Sequence, residues 1–368
     1  MRIGIDIRTI LDSKAGEGAG VGHYTYHLLK NLIPLGQKDE LVFFIGADQE
    51  VPEFVKKGGE IVKFAKKSLP LFSSHVFDAE TIKGAKVEVF HSPASFIPLF
   101  YGGVSVLTIH DMAIYDHPEW FPKGQGFSTN IVVPKSLRKA AKIITVSNHT
   151  KNHITKLLPI APDKIKVVYN GVDQTPIKLP QASETLQKYK LTEPYILFIG
   201  TIEPRKNIIT LIEAFESLSG SFPELKLALA GNMGWRTEEI STAIKANPKV
   251  LQLGYVSEIE KRILLQNSTM FVFPSLHEGF GLPILEAMRE GTPVITSNTT
   301  SIPEVAGDAA ILTDPEDYKS IALAMRNIYT NKELRAELVE KGKKQLEKFS
   351  WEKCARETLE VYKSVKET

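Results

Sequence analysis

Apolar, β-forming runs of six or seven residues recur along this chain, separated by stretches with helical periodicity. That alternation constrains the fold more than any other feature. IGIDIR (3–8) opens the first series, and HYTYHLLKNLI (23–33) follows it with its apolar residues on one helical face. LVFFIG (41–46), VEVFHS (87–92), SVLTIHD (105–111), KIITVS (142–147) and KIKVVYN (164–170) continue it. A second series comprises YILFIG (195–200), LKLALAG (225–231), VLQLGYV (250–256), MFVFPS (270–275) and PVITSN (293–298). Strand runs alternating with helices predict α/β architecture with parallel sheets. Between the series, residues 171–194 hold three prolines among polar residues and read as an interdomain linker. A chain of 368 residues is also long for one core, so two domains are expected.

Bulk properties exclude several classes. Lys and Arg number 45 against 43 Asp and Glu, a balance without a nucleic-acid footprint. The single cysteine, Cys354, supports neither a disulfide framework nor a multi-cysteine zinc site. The opening MRIGIDIRTI lacks the apolar core of a signal peptide, and no run of eighteen apolar residues occurs. These features predict a cytoplasmic protein, soluble or peripherally bound at the inner face of a membrane.

The stretch with most chemistry is EGFGLPILE (278–286), two glutamates separated by a glycine-rich turn running into a helix. It follows the strand-like FVFPSLH, and Pro283 suits a first helical turn. Gly279 and Gly281 open backbone conformations closed to other residues. The amides of Gly279, Phe280, Gly281 and Leu282 at such a helix start form an anion site. Taken alone, this is equally an ordinary strand–turn–helix with two surface glutamates, Glu278 and Glu286.

Other candidates lie just after strands, where ligands of such sheets bind. GEGAGVGHY (16–24) brings Gly20 and Gly22 to the start of the first helix, without G-x-G-x-x-G or P-loop spacing. His110 and Asp111 end SVLTIHD, Ser147 ends KIITVS and Asn170 ends KIKVVYN. For Asp111, Ser147 and Asn170 the competing role is capping or turn formation. GTIEPRKN places Gly200 at a strand end and Arg205 and Lys206 shortly after, a basic pair suited to a departing phosphate. There is no D-x-D pair to hold a divalent ion on a diphosphate and no H-E-x-x-H, so catalysis without a metal or other cofactor is expected.

The E-x7-E spacing resembles the signature of family 4 retaining glycosyltransferases. TVSNHTK, VVYNGVD, ILFIGTIEPRKN, LALAGNMG, LGYVSE and FSWEKCA extend the resemblance in order along the whole chain. It implies the GT-B fold: two facing Rossmann-like domains with parallel sheets and a catalytic cleft between them. The boundaries are then 1–172 for acceptor binding, 173–349 for the nucleotide-sugar donor, and 350–368 for a helix crossing back to the first domain. It implies that His110 and Glu278 face the transferred sugar, with Gly20 and Gly22 near the diphosphate or acceptor. Arg205 and Lys206 take the diphosphate, Glu286 the ribose, and Gly254, Tyr255 and Val256 the base. Gly231 and Asn232 line the same side, and Glu304 caps or braces a loop. The chain departs from the pattern at Thr201, where many relatives carry Arg, so Arg205 is expected to supply that charge.

GTIEPRKN together with GAGVGHY resembles bacterial and archaeal polysaccharide mannosyltransferases of this family. It implies transfer of mannose from GDP-mannose, or a hexose from a UDP-sugar, to a glycan or lipid-linked acceptor, with no nucleic-acid partner. A sugar-nucleotide epimerase and a non-catalytic nucleotide-sugar binder are the alternative classes. SFIPLFYGG with Lys56, Lys57, Lys66 and Lys67 is either a membrane-facing patch or ordinary packing.

Overall fold

A computed structural model describes residues 1–10, 20–36, 39–65, 71–174, 180–192 and 194–366. The chain divides into two compact units. The first holds Met1–Tyr115, Lys123–Gly171 and Trp351–Thr368; the second holds Asp116–Pro122 and Val172–Ser350.

The first unit is built on seven parallel strands: β1 (Arg2–Asp6), β2 (Glu40–Ile45), β3 (Glu60–Lys63), β4 (Val89–Ser92), β5 (Ser105–Ile109), β6 (Lys142–Thr145) and β7 (Ile165–Val167). Their order is β3-β2-β1-β4-β5-β6-β7, so the direction of winding reverses between β1 and β4. β4 and β5 are buried throughout, as expected of strands with helices over both faces. Val42, Phe44, Phe90, Leu107, Ile109 and Ile143 form part of one core cluster.

The second unit has six parallel strands: β8 (Tyr195–Ile199), β9 (Lys226–Ala230), β10 (Val250–Gly254), β11 (Met270–Phe273), β12 (Val294–Ser297) and β13 (Ala310–Thr313). The order β10-β9-β8-β11-β12-β13 places the reversal between β8 and β11. Among the described residues, no helix is long and apolar enough to cross a membrane.

The eleven strand runs read from sequence all form strands, while β3 and β13 come in addition. β3 is an edge strand with no fully buried residue, which explains its weak apolar pattern. Within 171–194 the chain forms a helix, Ala182–Lys188; residues 175–179 lie outside the described ones. ASETLQK contains good helix formers, which outweigh the flanking prolines. The final helix, Trp351–Ser364, belongs to the first unit and packs on the helix Val21–Leu35. There Trp351 stacks on His27 with ring centroids 5.1 Å apart.

Candidate active site

In the second unit the strand ends at the winding reversal carry the charged groups. The chain leaves β8 through Gly200 and makes a tight 3-10 turn at Pro204–Lys206. Asn207 then takes a left-handed conformation (φ 58°), which Asn tolerates better than most residues. Its amide donates to the carbonyls of Pro274 (3.2 Å) and Pro315 (2.6 Å), tying this turn to the exit of β11. Gly231, leaving β9, must be glycine: a Cβ there would lie 2.0 Å from the Gly200 carbonyl oxygen.

From β11 the chain reaches Glu278, which is buried. Lys206 Nζ lies 2.5 Å from its Oε1, and Arg205 Nη1 lies 3.4 Å from Oε2. Burial alone would raise the Glu278 pKa; Lys206 and Arg205 outweigh it and hold the carboxyl below its ordinary range. Burial also pulls Lys206 below its ordinary value, against the attraction of Glu278. Lys206 further sits 5.0 Å from the Phe273 ring centroid. Arg205 is braced by buried Glu203, whose Oε1 accepts from Nη2 at 2.9 Å and Nε at 3.1 Å, and it donates to the His277 carbonyl at 3.1 Å. Glu203, Arg205, Lys206 and Glu278 thus form one compact set of two cations and two anions.

Gly281 starts the helix Leu282–Arg289 at φ 107°, a value that explains glycine there, and Pro283 sits in the first turn. The first amides of a helix have no intrahelical acceptor and face the residues that precede it. Glu286, just over one turn along, is buried and lies 2.7 Å from Lys261 Nζ. Lys261 is also 2.7 Å from Glu258 and, despite burial, is raised above its ordinary pKa by Glu286 and Glu258. Gly254 ends β10 and its carbonyl accepts from Gly231 N–H at 2.8 Å; Tyr255 beyond it is 64 % exposed. Val256 follows it, half-buried, ahead of the capping box that starts the helix Glu258–Asn267.

In the first unit, Gly20 (φ 59°) precedes the helix Val21–Leu35 and Gly22 is buried in its first turn; residues 11–19, with Gly16 and Gly18, lie outside the described ones. Tyr24, on the same helix, meets His110 edge-on with ring centroids 4.8 Å apart. His110 Nε2 is 2.9 Å from the Pro93 carbonyl. A carbonyl only accepts, so Nε2 carries the proton and Nδ1 of the neutral ring is an acceptor. Burial lowers the His110 pKa, against the Pro93 bond and Asp111, which raise it. Behind it runs a buried chain: Tyr362 Oη to His91 Nδ1 (2.6 Å), His91 Nε2 to Thr108 Oγ1 (2.8 Å), and Thr108 Oγ1 to Tyr24 Oη (3.4 Å).

Some candidates are occupied structurally. Ser147 caps the helix Asn148–Leu157, accepting from Thr150 N–H at 3.1 Å, and Asp111 accepts from Ala113 N–H at 3.1 Å. Asn170 is buried, the Asn232 carbonyl accepts from Ile202 N–H at 2.9 Å, and Glu304 lies in the first turn of the helix Ile302–Ala306. In SFIPLFYGG, Ile97 and Tyr101 are core and Phe96 lies near Arg8; of its large apolar side chains only Phe100 is strongly exposed, at 51 %. Lys56 and Lys57 are exposed beside Glu53, and Lys66 and Lys67 lie outside the described residues. Two histidine pairs, His23–His27 and His149–His153, have the four-residue helical spacing that also suits metal ligation, so sequence spacing alone does not argue against an ion. Sequence reasoning passed over Glu203, Lys261 and the run Thr296–Ser301; Glu203 sits inside GTIEPRKN and was legible as a partner for Arg205.

Comparison with known proteins identifies both halves of the chain. Residues 18–175 match the model for Glycosyltransferase Family 4, and residues 183–345 match that for Glycosyl transferases group 1. The chain is 32% identical over 366 residues to an O-antigen chain mannosyltransferase B of Escherichia coli, covering 94% of this chain and 96% of that protein. Its fold is shared with the sucrose-phosphate synthase of Thermosynechococcus elongatus (TM-score 0.77, 17% identity, 99% and 98% of the two chains). It is shared too with Anabaena HepE, solved in complex with UDP-glucose (TM-score 0.76, 17% identity, 99% and 100%). With both halves matched and a relative aligned along nearly its whole length, the chain belongs to the family 4 glycosyltransferases, enzymes of the GT-B fold.

Proposed function

We propose that the protein is a retaining mannosyltransferase that moves mannose from GDP-mannose to a hydroxyl of a glycan or lipid-linked saccharide, without a metal ion. The observation that carries this reading is the set Lys206, Arg205 and Glu278 at the winding reversal of the second sheet. Similarity to an O-antigen mannosyltransferase supports the sugar.

Arg205 and Lys206 take the donor diphosphate, with the amides of Gly279–Leu282 at the helix start. Cations already in place stabilise charge as it builds on the leaving phosphate, with little reorganisation. The bond from the anomeric carbon to the phosphate oxygen breaks through an oxocarbenium-like state. The acceptor oxygen attacks from the face the phosphate leaves, and its proton passes to a phosphate oxygen, so the anomeric configuration is kept. Glu278 orients the sugar and offsets the oxocarbenium charge; in the first unit, His110 Nδ1 offers an acceptor to a hydroxyl. Glu286 accepts from the ribose, and Gly254, Tyr255 and Val256 line the base. A reaction in the cytoplasm, or at the inner membrane face, goes with this reading.

A UDP-sugar is the second reading, prompted by the UDP-glucose bound to the Anabaena protein. A donor panel tests both: GDP-mannose, UDP-glucose, UDP-N-acetylglucosamine and UDP-galactose in EDTA, scored by thermal shift and nucleotide release. Stabilisation and turnover with GDP-mannose alone are expected. A response confined to UDP-sugars overturns the donor, and turnover abolished by EDTA and restored by a divalent ion overturns metal independence.

A further inference from the structure

Thr300 holds a backbone conformation that its side chain opposes. Its φ is 56°, in the left-handed region where a β-branched residue is an outlier. Such outliers persist only where their surroundings over-determine them, and they gather at functional sites.

Here the surroundings are a row of hydroxyls. Leaving β12, side chain after side chain bonds to the backbone that leaves β11. Thr296 donates to the Phe273 carbonyl (2.8 Å), Ser297 to Ser275 (2.7 Å) and Thr299 to Leu276 (3.3 Å). Ser301 donates to both Glu278 (2.8 Å) and Phe280 (3.1 Å). Thr300 takes the opposite role: its Oγ1 accepts from the Glu278 N–H at 3.2 Å. The run therefore grips the Glu278 turn from both sides, its carbonyl through Ser301 and its amide through Thr300. An accepting hydroxyl also keeps its own proton to donate, and Thr300 is only half-buried.

We infer that Thr300 is a positioning residue for Glu278, and that its left-handed turn serves to bring Oγ1 to that amide. The inference rests on the reading of Glu278 as the carboxylate facing the reacting sugar. It has a consequence that ordinary packing does not share. Glycine at 300 relieves the backbone but removes the hydroxyl, so stability and turnover move in opposite directions.

The test compares Thr300→Gly, Thr300→Ser and Glu278→Gln, using nucleotide release from GDP-mannose, or from whichever donor of the panel turns over. Thr300→Gly is expected to melt at or above the parent while kcat falls about tenfold and the donor KM stays within about twofold. Thr300→Ser keeps the hydroxyl and holds kcat within about threefold. A Thr300→Gly variant with parental kcat, or one whose Tm and kcat fall together, overturns the inference. Loss of turnover in Glu278→Gln alone leaves the role of Glu278 standing and removes that of Thr300. Parental turnover in Glu278→Gln removes both.

Discussion

Around Glu278 a chain of ion pairs joins Glu203, Arg205, Glu278 and Lys206, whereas His110 is backed by neutral groups: Tyr24, Thr108, His91 and Tyr362. Both places lie at the carboxyl ends of parallel strands, so the fold alone does not explain the difference. The charged set is balanced within itself, each cation lying against a carboxylate. The neutral set has its protons directed along a chain. Buried Tyr362 stays protonated and donates a hydrogen bond to His91 Nδ1, so His91 Nε2 donates to Thr108. Such a place suits a ligand of hydroxyl groups, and charge there would be expensive.

The strongest test of the contrast is Glu278→Gln. Turnover should fall about 10²- to 10³-fold, while nucleotide still raises the melting temperature. Parental turnover would end the assignment of the charged set to catalysis. Lys206→Met comes next, with turnover down about 100-fold and about 3 kcal/mol of stability lost, because Glu278 keeps only the longer contact to Arg205. Chemical denaturation alongside the kinetics separates the two effects.

Acid should distinguish the units. Burial and nearby His110 pull His91 from 6.5 down to about 3. The unfolded chain then takes up this proton first, so stability of the first unit drains as pH falls from 6.5 toward 3. Glu278 is depressed below its ordinary 4.5, so its contribution is present above 4.5 and is lost only as pH falls further. Hydrogen exchange at pH 5 should show the first unit losing protection ahead of the second; loss in the opposite order would refute the contrast. The smallest effect belongs to Tyr362→Phe, which leaves buried His91 Nδ1 without its donor at a cost of about 1–3 kcal/mol. Melting with and without nucleotide should locate that loss in the first unit.

Much of this was legible in the sequence. Strand runs and helical periods mark both sheets, and short motifs such as EGFGLPILE and GTIEPRKN announce themselves because turn, helix start and charge are local. What was not legible depends on distance or on backbone shape. Tyr362 and His91 are 271 residues apart and have no shared pattern. Lys261 meets Glu286 from another helix, and SNTTS reads as an ordinary polar loop until the φ of Thr300 is known. Ser147 and Asp111 could be listed as candidates, but only hydrogen bonds reveal that they cap.

The return of the last helix to the first unit has a consequence for how the molecule is made. During synthesis the second unit emerges from the ribosome complete, with Val172–Ser350 before Trp351. The first unit, although its sheet is translated earlier, waits for Trp351 to cover His27 and for Tyr362 to reach His91. Domains generally fold as units in order of emergence, and here that order is inverted for the finishing step. A nascent chain halted before residue 351 would carry a finished second unit and an unsealed first one, with the face of its first helix around His27 still open to chaperones.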